Sequence, residues 1–113
     1  MLPRQERLRL QKDFEKLRQH GRRYHQPALS LVVLEEDHDQ RLAGFIVSKR
    51  ISKKAVERNL IKRRLRAAYC SIQSQLLSGY VLLFIAKPLL LDLSYQDLEQ
   101  QMGHLLSKAR VCK

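Results

Sequence analysis

Lys53-Lys54-Ala55-Val56-Glu57-Arg58-Asn59-Leu60-Ile61-Lys62-Arg63-Arg64-Leu65-Arg66-Ala67-Ala68-Tyr69 is the stretch that decides how this chain folds. Ile61, Leu65, Ala68, Ile72 and Leu76 recur at spacings of four, three, four and four. That is the stripe of a helix packed on a core. The spacing predicts a helix over about Lys53 to Leu77, with Ser52 as its cap and Ser78-Gly79 as its end. On the same helix Arg58, Lys62 and Arg66 fall within about 80° of arc. Asn59 lies on that side and Arg63 just beyond it. The apolar stripe is roughly a third of a turn away. One face can therefore be buried while the other offers a row of cations.

Outward from this helix the pattern alternates. Gln11 to His20 reads as a short helix with Leu10, Phe14 and Leu17 on one face, and Gly21 stands where it would stop. Residues 1 to 10 form an irregular basic lead-in. Tyr24 to Pro27 can add a short strand. Leu29 to Leu34 and Leu42 to Ser48 are strand candidates, expected to pair as an antiparallel hairpin around an acidic turn, Glu35 to Gln40. Tyr80 to Lys87, apolar nearly throughout, has the composition of a central strand buried on both faces, and Pro88 closes it. Ser94 caps a last helix, with Asp97 three residues on. Leu98, Met102, Leu105 and Leu106 form its buried side. The chain thus reads as one domain, 1–113, in the order αβββαβα. This is an α/β (α+β) two-layer sandwich, a small sheet with helices mainly on one face.

Charge narrows the function. Lys and Arg number 22 against 11 Asp and Glu, a formal net charge of +11. Solubility does not require so much, so a polyanionic partner is implied, nucleic acid ahead of a membrane surface. The charge is also concentrated. Residues 49–66 carry nine basic residues and one acid, and residues 1–23 carry eight and three. The rise from Arg58 to Lys62, about 6 Å, is close to the phosphate spacing of a nucleic-acid strand. Like charges three and four apart destabilise a helix, and Glu57 is the only acid in this block. A row that costs stability suggests an external anion. Lys49, Arg50, Lys53 and Lys54 extend the patch. Asn59, the only asparagine in the chain, can meet a base edge or a ribose hydroxyl.

Other classes recede. Cys70 and Cys112 have no CxxC or Cys/His spacing, and His20 and His25 lack partners for a metal site, so reduced thiols and no bound metal are expected. No apolar run reaches the ~20 residues of a membrane span. The N-terminus lacks the apolar region of a signal peptide, so a cytoplasmic protein with no membrane partner is expected. A self-sufficient nuclease needs clustered carboxylates or a His pair, and the acids here are dispersed. A helix-turn-helix DNA binder needs a short helix and turn before the recognition helix.

Ser48-Lys49-Arg50 followed by Ala55-Val56-Glu57-Arg58-Asn59-Leu60-Ile61-Lys62-Arg63 resembles the signature of the bacterial ribonuclease P protein family. That family's central helix carries an Arg-Asn-Arg core followed by Ile-Lys-Arg. Arg7-Leu8, Asp13-Phe14 and Gly21 resemble its first helix, Ala86-Lys87 the end of its fourth strand, and Leu93-Ser94-Tyr95 the start of its last helix. The resemblance covers nearly the whole chain. It departs at Leu60, where the third motif residue is usually Arg, and at Arg18 and Val32, where the family usually has aromatics.

The resemblance implies a mixed sheet with a left-handed βαβ crossover, similar to the second domain of a ribosomal small-subunit protein. It implies RNA contacts through Lys49, Arg50, Lys53, Lys54, Arg58, Asn59, Lys62, Arg63 and Arg66. It also implies a cleft for the 5′ leader of precursor tRNA, built from Phe14, Arg18, Val32, Ser48, Ala86 and Lys87. The partners would be a catalytic ribonuclease P RNA and precursor tRNA, with no obligate protein partner. Chemistry would lie in the RNA with Mg2+, and no residue of this chain would be catalytic or hold a metal. The alternative on composition alone is another RNA-binding module, such as a ribosomal or RNA-assembly protein.

Overall fold

The computed structural model describes residues 11–35, 41–77 and 79–111. Helix α1 spans Gln11–His20, strand β1 Arg22–His25, β2 Leu29–Glu35 and β3 Arg41–Ile46. Helix α2 spans Ala55–Ile72, β4 Tyr80–Ala86 and α3 Tyr95–Lys108. Short 3-10 turns, Gln73–Gln75 and Pro88–Asp92, follow α2 and β4. The order is the expected αβββαβα. The basic lead-in, residues 1–10, and most of the acidic turn, residues 36–40, lie outside the described residues.

The sheet has the order β1-β2-β4-β3. β1 and β2 run antiparallel, as do β2 and β4, whereas β3 and β4 run parallel. The hairpin expected between Leu29–Leu34 and Leu42–Ser48 therefore does not form. β4 lies between the two strands, with Val32 opposite Leu83 and Phe45 opposite Phe84. The physical reason lies in β4 itself. Val81, Leu82, Leu83 and Phe84 are all buried, so this strand needs cover on both faces and a neighbour on each edge. A β2–β3 hairpin would have left it at the rim of the sheet. The parallel β3–β4 pair also needs a crossover, which α2 supplies.

Period-two alternation divides the sheet between two cores. On one face Leu29, Leu31, Val33, Ala43, Leu82, Phe84 and Ala86 meet α2 and α3. From α2 come Ile61, Leu65, Ala68 and Tyr69, and from α3 Leu98, Met102, Leu105 and Leu106. Tyr69, outside the stripe read from the sequence, is fully buried. It sits edge-on to Phe45 and Phe84, with ring centroids 6.0 and 5.9 Å away, while those two rings stack at 5.6 Å. The opposite face carries a smaller core of Val32, Val81 and Leu83 under Leu17 of α1. Among the described residues α2 and α3 share one face, and α1 covers part of the other.

The junction of α1 with the sheet is tight. The Gly21 amide donates to the Leu17 carbonyl at 3.0 Å. A Cβ on Gly21 would stand 2.4 Å from that oxygen and 2.5 Å from Cγ1 of Val32. Only glycine lets the end of α1 lie this close to β2.

Helix ends follow local chemistry, with one correction. The Ser94 hydroxyl accepts from the Asp97 amide at 3.2 Å, the expected cap of α3. Ser52 does not cap α2. Lys54 holds the cap position without a side-chain bond, and the helix begins at Ala55. The helix also stops five residues short of Leu77, as the chain turns at Gln73–Gln75 to bury Leu76. Gly79, with φ of 88°, then redirects the backbone into β4.

Candidate nucleic-acid interface

The segment before α2 folds back on its first turn. The Ile51 amide donates to the Ser48 carbonyl at 3.1 Å. The Ser52 hydroxyl donates to the Glu57 carboxylate and accepts from the Lys54 amide at 3.2 Å. Nη1 of Arg58 donates to the Ser52 carbonyl at 2.9 Å. These bonds set Lys49, Arg50, Lys53 and Lys54, all exposed, beside the start of the helix. Ser52 is therefore a brace rather than a cap, and it occupies the one acid of the block.

Along α2, Arg58, Lys62 and Arg66 are half-buried, while Asn59 and Arg63 are exposed. Half-burial lets the stems of Lys62 and Arg66 lie on apolar surface with their charged heads in water, while the Arg58 guanidinium is bonded on one side to the Ser52 carbonyl. Among the described residues no carboxylate forms an ion pair with Arg58, Lys62 or Arg66. All nine residues expected to meet RNA lie on α2 or the segment folded onto it. Arg64, exposed on the other flank of α2, was not among them.

A second feature lies on the opposite side of the sheet. A hollow of about 180 Å3 opens between α1 and the strands, lined by Leu17, Arg18, Arg23, Val32, Ile46, Leu83 and Ile85. Leu17, Val32 and Leu83 form its buried floor, and Arg18 and Arg23 stand exposed beside it. Gly44, opposite Leu83 in the β3–β4 register, contributes no side chain to this row.

Of the six residues expected in a leader cleft, Arg18 and Val32 line this hollow. Phe14 belongs to α1, but its side chain lies outside the described residues. Ser48 is exposed beyond the end of β3. Ala86 points into the core under α2 and α3, and Nζ of Lys87 donates to the Gln26 carbonyl at 2.9 Å. Neither lines the hollow. Arg23, Ile46, Leu83 and Ile85, which complete the lining of the hollow, were not singled out in the sequence. Alternation along β4 was the available signal, because a strand apolar on both faces must have a second surface to cover.

His25 shares a hydrogen bond with Ser30 through Nδ1, at 2.9 Å. Among the described residues no three His, Cys, Asp or Glu side chains cluster as metal ligands would. Nor is any described helix long and apolar enough to cross a membrane.

A small α+β protein with an unneutralised cation row on one helix and a cation-rimmed hollow on its sheet belongs to the class that holds RNA. Residues 2–110 match the family model described as Ribonuclease P. The ribonuclease P protein component of a Pseudanabaena species is 38% identical over 112 residues, covering 98% of this chain and 97% of that one. Its counterpart in a Picosynechococcus species is 32% identical over 110 residues, covering 97% and 95%. In fold, the chain is similar to the RNase P protein of Staphylococcus aureus, with a TM-score of 0.85 at 24% identity, covering 96% and 98%. The protein from Thermotoga maritima gives 0.82 at 21%, covering 91% and 96%. The chain belongs to the ribonuclease P protein family. It is thus a protein component of the endoribonuclease that matures the 5′ ends of tRNA, and its partner is the ribonuclease P RNA.

Proposed function

We propose that this chain, acting as one domain in the cytoplasm, binds the catalytic RNA through α2 and the 5′ leader of precursor tRNA through the hollow under α1. The observation that carries the reading is the row Arg58, Lys62 and Arg66 on α2, with no ion-pair partner among the described residues. A helix with this much like charge gains most from an external polyanion, because each bound phosphate releases a counterion and relieves repulsion. Lys49, Arg50, Lys53, Lys54, Asn59 and Arg63 widen the same surface.

The leader would lie against Val32, Leu83 and Ile85, with Arg18 and Arg23 reaching its phosphates. An apolar floor flanked by guanidinium groups suits single-stranded RNA of any sequence. Phe14 stays in the proposal as a base-stacking residue on α1 and Ser48 as a residue bordering the leader's path, while Ala86, buried on the opposite face, and Lys87, bonded to the Gln26 carbonyl, drop out of it.

Hydrolysis of the phosphodiester needs an activated water and stabilisation of the leaving oxygen, commonly by metal ions. In this proposal the RNA and Mg2+ supply both, and this chain supplies cations that screen repulsion between two RNAs. The test is cleavage of labelled precursor tRNA by ribonuclease P RNA across a magnesium series, with and without the protein. The protein should lower the magnesium required. Cleavage by the protein alone, free of RNA, would refute the assignment of chemistry to the RNA. So would loss of cleavage at saturating RNA and magnesium when a single Asp, Glu or His is replaced and binding persists.

A further inference from the structure

A second, larger hollow of about 400 Å3 opens between the first turns of α2 and the start of α3. Leu60, Leu91 and Tyr95 form its outer walls, with Glu57, Arg64 and Ser94 as polar points. These apolar groups are unusually bare, with Leu60 49%, Leu91 48% and Tyr95 39% exposed. A patch of this kind marks a binding surface. We propose that it holds an unstacked nucleobase of the bound RNA.

The proposal rests on the reading of α2 as the RNA-binding helix, and three observations favour a base as the occupant. The first is continuity. Going around α2 from Arg58, the side chains follow in the order Lys62, Arg66, Asn59, Arg63, Leu60 and Arg64, each within about 60° of the last. A strand held by the cation row and crossing the exposed face over Asn59 and Arg63 arrives at Leu60. The second is chemistry. Tyr95 and the leucines provide the apolar walls on which a base packs, Glu57 offers the carboxylate oxygen that Ser52 does not hold to ring and exocyclic N–H groups, and Arg64 stands ready for a flanking phosphate. Partial desolvation and then the neighbouring Glu99 carboxylate raise the Tyr95 hydroxyl above the ordinary phenol range. The third is charge. A second copy of the chain seated here would bring two segments of nine basic residues and one acid, 49–66, against each other. Repulsion between them opposes that contact, whereas a polyanion relieves it.

The test compares the intact chain with Leu91→Ser and Tyr95→Ala, both at exposed positions. Affinities are measured for a twelve-residue oligoadenylate and for an abasic sugar-phosphate of the same length, over a salt series, with melting temperatures taken in parallel. The intact chain should prefer the oligoadenylate. Each variant should lose about fivefold or more of that preference, the lower end of what one stacked base contributes. Abasic affinity and the salt slope should not change. Lys62→Ala should do the reverse, flattening the slope and sparing the base preference, so failure of the hollow and failure of the α2 interface give different results. An unchanged base preference in both variants, with melting temperatures intact, would overturn the proposal. So would sedimentation showing an intact-chain dimer that Leu91→Ser splits, which would make the groove an interface between copies.

Discussion

Replacing Lys62 and Arg58 separately tests the α2 interface, because the structure gives the two residues different secondary duties. Lys62 is half-buried and, among the described residues, no hydrogen bond or ion pair ties its ammonium to the fold, whereas Arg58 donates to the Ser52 carbonyl at 2.9 Å. If each neutralises one phosphate, its loss should flatten the log–log salt dependence of RNA binding by about 0.7 to 0.9. Extrapolated from 1 M to 0.1 M salt, that is about five- to eightfold in affinity, or about 1 kcal/mol. Stability should separate them. Lys62→Ala removes a like-charge neighbour, so unfolding stability should hold or rise by a few tenths of a kcal/mol. Arg58→Ala also frees the Ser52 brace, a charged hydrogen bond whose partial exposure discounts it to about 1 kcal/mol. Arg58→Lys should recover the salt slope. Filter binding to ribonuclease P RNA at several salt concentrations, with denaturant melts, reads both quantities. Unchanged slopes in Lys62→Ala and Arg58→Ala together would refute the placement of RNA on this helix face.

Gly21→Ala forces a Cβ against the Leu17 carbonyl and Val32, so it should cost about 1–3 kcal/mol and lower Tm by several degrees, read by thermal melting. The same variant should weaken precursor tRNA more than mature tRNA, since it disturbs the floor of the hollow under α1. Arg18→Ala, at an exposed position, should leave Tm unchanged and weaken precursor tRNA by about fivefold at 0.1 M salt, with mature tRNA unaffected. Equal losses for both tRNA forms would count against the hollow as the leader site. Leu65→Ala, at a fully buried position under α2, should cost about 2–5 kcal/mol in urea melts.

Local signals carried α1, α3 and the middle of α2. The span Gln11–His20 was legible from its apolar face and Gly21, and α3 from Ser94 with Leu98, Met102, Leu105 and Leu106. Each of those elements is specified by residues within a turn or two of one another. The cation row was legible for the same reason, since a helical face follows from spacing alone once the helix is granted. Ser52 shows where that logic stops. A serine just before a helix reads as a cap, but here its hydroxyl bonds Glu57 and its carbonyl holds Arg58, so the helix starts three residues later.

Composition and periodicity by themselves determined a basic α+β protein with a cation row on its central helix, because charge and helical spacing survive in the primary structure. Strand order did not. The segments Leu29–Leu34 and Leu42–Ser48 carry nothing locally that says whether they pair with each other or admit a third strand between them. The decision belongs to β4, some forty residues away, which buries both faces only when it sits in the middle. The hollow under α1 likewise exists only after folding, since Leu17, Arg23, Val32, Ile46 and Leu83 come from five elements and meet through the register of the sheet. The groove holding Leu60, Leu91 and Tyr95 is of the same kind, because it forms where two helices and a 3-10 turn pack on one face and leave their apolar edges uncovered.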